Sequence, residues 1–153
     1  MPVNAEWDIW IQSSIVKHFI DNISGILVFS EGDKKSTKGV GQYCEVRLNG
    51  PEYTEFSHNY WRVTVDVNVI ITAVKNNSNI YTMQMLTGLV ASQFEDAICI
   101  YKYGGTDDSL LECMARDDGV RGSLRITQLE QLGPAAEIQQ SMVSASYKFY
   151  LTE

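Results

Sequence analysis

The stretch Tyr60–Val74, YWRVTVDVNVIITAV, decides the reading of this chain. Trp61, Val63, Val65, Val67, Val69, Ile71 and Ala73 alternate with Arg62, Thr64, Asp66 and Asn68. Successive side chains of a strand point to opposite faces, so this pattern predicts a strand with one apolar and one polar face. From Ile70 onward both faces turn apolar, which predicts that this end lies beneath another element. A strand of this span is about 50 Å long at roughly 3.3 Å per residue, well beyond the usual length.

Working outward, residues 5–23 read as a helix: Trp7, Trp10, Ile11, Ile15, Phe19 and Ile23 recur at helical spacing, and Asn4 is a candidate N-cap. A short apolar strand follows over residues 26–30. Residues 31–41, EGDKKSTKGVG, form a polar loop that carries Lys34, Lys35 and Lys38. Its lysines suit either a solvated surface or contact with an acidic partner. Residues 42–48 alternate as a strand, and Asn49-Gly50-Pro51 has the composition of a turn. Beyond the long strand, residues 80–95 read as a second helix. Strands are predicted over 97–103, 110–115 and 123–132, followed by a second long stretch over 137–151. The last alternates imperfectly, and a bulge near Met142-Val143 would bring its halves into phase. This order predicts one α+β domain over residues 1–153, an antiparallel or mixed sheet with two helices packed on one face and a long central strand.

At 153 residues and 44% apolar content the chain is large enough for one core. A net charge of -7 disfavours general nucleic-acid binding, which rests on clustered Lys and Arg. No basic and apolar leader opens the sequence, and no apolar run approaches membrane-spanning length, so the expectation is assembly in a cytoplasm without membrane contact. Cys44, Cys99 and Cys113 lie in apolar stretches without CxxC spacing and are expected to be reduced, buried thiols.

The search for chemistry finds little. His18 and His58 stand apart from metal-ligand spacing. Asp107-Asp108 and Asp117-Asp118 sit in turn-like sequence, where Asp bonds to nearby backbone. The nearest glycine cluster, Gly39-Val40-Gly41, precedes a strand and so presents no helix amides to a phosphate. The expectation is a non-enzyme without catalytic residues, metal or cofactor. Two long strands in a small chain instead favour an extended sheet whose apolar surface is completed by other copies of the chain.

The early tryptophan-bearing helix (EWDIWIQSSIVKHFI), the short strand and loop (ILVFSEGDKKSTKG), the long strand, the second helix (IYTMQMLTGLVASQFE) and the final strands ending YKFYL together resemble the tail-terminator and neck proteins of tailed bacteriophages. The resemblance spans nearly the whole chain and carries no diagnostic motif. It implies a virion protein that forms a ring, usually a hexamer, at the end of the tail tube. Such a ring would stop tube polymerisation, contact the tail tube protein and the head-connector protein, and let genomic DNA pass through its lumen. Another phage structural subunit (connector, tube or baseplate) or a small soluble α+β enzyme or ligand-binding domain are the alternatives. Candidate subunit or partner contacts are Lys34, Lys35 and Lys38 in the loop and Tyr60, Arg62, Thr64 and Asp66 on the polar face of the long strand.

Overall fold

The computed structural model describes residues 6–23, 26–30, 42–74, 80–95, 97–102, 110–116, 124–130 and 138–152. Its elements, in chain order, are α1 (Trp7–Asn22), β1 (Leu27–Ser30), β2 (Gln42–Ser57), β3 (Tyr60–Val74), α2 (Ile80–Ser92), β4 (Ile98–Tyr101), β5 (Leu110–Arg116), β6 (Arg125–Glu130) and β7 (Ile138–Thr152). They build one seven-stranded sheet in the order β1-β2-β3-β7-β5-β4, with β6 also paired to β7.

The long strand is central, as its alternation predicts. It pairs antiparallel with β2 on one side and with β7 on the other. The β3–β7 register runs without a break from Tyr60↔Thr152 to Val74↔Ile138. Val63, Val65, Val67, Val69, Ile71 and Ala73 are fully buried, facing the same side as Val143, Ala145, Tyr147 and Phe149. Both helices lie on this side. Phe94, just after α2, stacks between Phe19 of α1 and Tyr147 of β7. The Tyr147 hydroxyl donates to the Phe94 carbonyl at 2.8 Å.

The α+β expectation is corrected in its balance and shape. Strands hold 63% of the described residues, so the described structure is mostly β, and the mixed sheet is curled into a half-barrel rather than laid flat beneath a helical layer. The cause is visible in α1, which touches β1 and β2 near one end of the strand order and β4 at the other. The sheet wraps around this helix. Ser14 on α1 accepts a hydrogen bond from the Tyr101 amide at 2.9 Å, so a helix side chain satisfies the backbone of the edge strand β4.

Three smaller expectations also change. Asn49-Gly50-Pro51 is an irregularity within β2, with a register shift between Asn49 and Glu52 and a cis Gly50-Pro51 bond. A Cβ at Gly50, where φ is +106°, would lie 3.1 Å from the Thr64 carbonyl oxygen. The hairpin instead turns at His58 and Asn59, and Asn59 adopts φ 61°, a conformation that Asn tolerates better than most residues. No bulge occurs near Met142-Val143, because Met142 faces outward opposite Ile70 and the odd-numbered residues keep strict alternation. Cys99 and Cys113 are not reduced thiols: they stand directly opposite in the β4–β5 pair and form a disulfide. Only Cys44 is a free buried thiol among the described residues. The Asn4 cap and the paired aspartates lie outside the described residues.

The doubly apolar end of β3 does lie under α2. Thr87 on α2 and Ser141 on β7, the register partner of Ile71, are 2.8 Å apart and buried. No described helix is long and apolar enough to cross a membrane.

Val65→Asp places a carboxylate in the middle of this core. It should lower the unfolding free energy by about 3–5 kcal/mol in urea titration, the scale of an uncompensated buried charge. An unchanged midpoint would show that this face is open to water.

Candidate subunit-contact surface

The polar face of β3 forms the convex side of the curled sheet. Along it, Tyr60, Arg62, Thr64 and Asp66 are brought together as predicted, in line with Thr152, Tyr150, Lys148 and Ser146 on β7. Because β3 is paired on both edges, these residues can offer a partner only their side chains. Arg62 and Asp66 are exposed, while Tyr60 and Thr64 are half-buried. Asp66 accepts a hydrogen bond from Ser146, which orients the carboxylate across the strand pair. Lys34, Lys35 and Lys38 lie outside the described residues.

The structure adds an aromatic cluster that alternation alone does not mark. Tyr60 stacks on Tyr150 with the rings 6° from parallel and their centroids 5.8 Å apart, and Phe56 meets Tyr60 edge-on at 4.6 Å. Phe56 remains 54% exposed, although each ring covers part of its neighbours. The register shift between Glu55 and Ser57 places it there. The sequence signal is Phe56 itself, the one large apolar side chain in the polar run TEFSHN. β2, β3 and β7 all end at this cluster, so it crowns one rim of the sheet.

On the concave side the same rim is closed by α1. Trp7 packs on Phe149 and, edge-on, on Trp10. The Tyr53 hydroxyl donates to Asp8 at 3.2 Å. Burial, then the charge of Asp8 and the bond to it, raise the pKa of this phenol above its ordinary value. Farther along α1, Ile9, Val16 and Ile20 join Ser30, Val46 and Leu48 around an open groove of about 570 Å³ at the β1–β2 side of the sheet. A smaller cleft of about 270 Å³ on the other flank of α1 includes Lys17, His18, Asp21 and Cys99.

His18 is held structurally: its Nε2 lies 3.0 Å from the Gln93 carbonyl, and Nδ1 faces the Asn22 amide at 3.5 Å. Donation from Nε2 leaves Nδ1 as the acceptor. His58 sits exposed in the hairpin turn. Among the described residues no group of three or more His, Cys, Asp or Glu side chains converges as a metal site.

No family model matches the chain, and no curated protein matches it either. Solved structures do match; one without a functional description aligns over 96% of this chain and 93% of its own at 11% identity, with a TM-score of 0.45. A likeness at that level carries no argument about function.

Burial pushes the Cys44 thiol up from 9.0 to about 12. The thiol stays protonated in the fold at a pH where the unfolded chain has released the proton, so stability is full below pH 9.0 and declines as pH rises toward 12. The decline should approach about 1.4 kcal/mol per pH unit from this group, with Tyr53 adding in the same direction at higher pH. Urea midpoints measured across that range should fall less steeply for Cys44→Ala. Identical slopes for the two proteins would exclude Cys44 as a source.

Proposed function

We propose that the protein is a structural subunit of a tailed bacteriophage, a tail terminator that assembles into a ring at the end of the tail tube, joins it to the head connector and lets genomic DNA pass through the lumen. The observation that carries this reading is the rim. Three long strands end together and leave Phe56, Tyr60 and Tyr150 as an aromatic cluster at the rim of the sheet. Aromatic side chains of this kind are favoured anchors in protein contacts because they bury large area with little loss of rotamer freedom.

The reason for oligomerisation differs from the sequence expectation. From Val63 to Ala73 the apolar face of β3 is fully covered by its own chain, so that stretch is not what a neighbour completes. Exposed apolar side chains occur elsewhere, at the rim and along the groove beside α1. In this reading the rim meets the tube or connector protein along the ring axis, with Arg62, Thr64 and Asp66 extending the contact down the convex face. The net charge of -7 keeps phosphates from adhering to the lumen as DNA slides through. A lumen lined by Lys34, Lys35 and Lys38 would contradict that part of the proposal.

Light scattering after size exclusion, with negative-stain images, should show closed rings. A stable monomer at high concentration would overturn the reading, and long tubes would reassign the protein as a tube subunit. The double substitution Phe56→Ser, Tyr150→Ser should leave rings intact but abolish their ability to cap polymerising tube protein. Capping at the native level would remove the rim from the contact.

A further inference from the structure

The disulfide between Cys99 and Cys113 joins two strands at one end of the strand order. In the series β7-β5-β4, strand β4 is paired to the sheet through β5, and the bonded cysteines stand directly opposite one another in that pair. Alternation divides the two strands by face. Ile98, Ile100 and Met114 are fully buried in the core, so Cys99 and Cys113, one residue away on each strand, point outward. Cys113 is exposed. Cys99 is half-buried and lies at the small cleft between β4 and α1. Cys44, by contrast, is fully buried.

A disulfide opens when a thiolate attacks one sulfur and expels the other as a thiolate. Exposure directs a small attacking thiolate to the sulfur of Cys113 and makes Cys99 the leaving group. A dithiol reductant completes the step: its first sulfur forms a mixed disulfide with Cys113, its second attacks that bond, and the reductant leaves as a cyclic disulfide. Two electrons pass from the dithiol to the protein, and its two protons end on Cys99 and Cys113. Closure uses a low-molecular-weight disulfide as oxidant. The Cys113 thiolate attacks it and expels one small thiolate; the Cys99 thiolate then attacks the Cys113 sulfur and expels the other. The two released thiolates take up the two protons that the cysteines give up.

Opening the bond does not dismantle the hairpin. The β4–β5 register, the buried Ile98, Ile100 and Met114, and the bond from the Tyr101 amide to Ser14 all remain. What is lost is the cross-link between two residues separated by 14 in the chain, which restricts the freedom of the unfolded segment. One part of the fold is loosened and the rest is kept.

We propose that Cys99–Cys113 is a redox latch on the β4–β5 hairpin, opened by dithiols where thiols are kept reduced and closed by small disulfides where they are not. The latch belongs to the single chain and holds whether or not the ring proposed above forms. In a virion subunit it would leave the hairpin loose during assembly inside a cell and fixed outside it.

The native protein, without denaturant, is treated with dithiothreitol and then with a maleimide. Cys99 and Cys113 should both react, while Cys44 stays unlabelled until urea is added; before reduction no thiol should react. The reduced protein should stay folded by circular dichroism but melt about 6–12 °C lower, the shift expected for a cross-link closing a loop of this size in a chain of this length. Amide exchange across residues 98–101 and 110–114 should quicken. Oxidised glutathione should restore the original melting temperature, and Cys99→Ser should capture glutathione as a mixed disulfide faster than Cys113→Ser. A bond that dithiothreitol opens only in urea, a melting temperature unchanged by reduction, or a protein that unfolds on reduction would each overturn the latch. Equal capture by the two variants would overturn the place of Cys113 as the sulfur attacked first.

Discussion

The structure depends on the antiparallel ladder between β3 and β7. Fifteen residues of β3 meet β7 without a register shift, so one set of side chains stays on the concave side from end to end. A slip of one residue would turn Val63, Val65, Val67 and Val69 outward. Exposing a buried valine costs roughly 1.5–3 kcal/mol, and four such losses rival the whole stability of a small domain, about 5–15 kcal/mol. The hydrophobic pattern therefore fixes the register far more firmly than the backbone bonds, which both registers can make.

The remaining elements follow from covering that concave face. α1 fills the curl with Ile11, Ile15 and Phe19, while α2 and Phe94 close the end near Ser141 and Tyr147. The edge at β4 is satisfied by Ser14 and the β4–β5 hairpin is tied by the Cys99–Cys113 disulfide. The axial contact proposed above lies at the aromatic rim, where β2, β3 and β7 end together.

Much of the core was legible in the sequence because period-two alternation is strong in Tyr60–Val74 and because α1 carries its apolar residues at helical spacing. The turn was misplaced because Asn-Gly-Pro has turn composition, yet the pairing of Glu52 with Thr64 carries β2 past it. The bulge expected near Met142-Val143 is absent because the alternation from Ser141 to Leu151 is regular once a serine is allowed inside. That serine is acceptable because Thr87 supplies its hydrogen-bond partner, a tertiary fact absent from local pattern. The disulfide was missed for a similar reason: opposition of Cys99 and Cys113 depends on hairpin register, not on spacing. Of the candidate surface, Tyr60, Arg62, Thr64 and Asp66 could be assigned to one face by parity. Phe56 and Tyr150 gain significance only once the strands are aligned.

Amide hydrogen exchange on the native protein tests the ladder between β3 and β7 most directly. The account predicts that the amides of β3 and β7 are the slowest of the described residues to exchange, slower than those of β4 and β6. Exchange in β3 as fast as in β6 would contradict it.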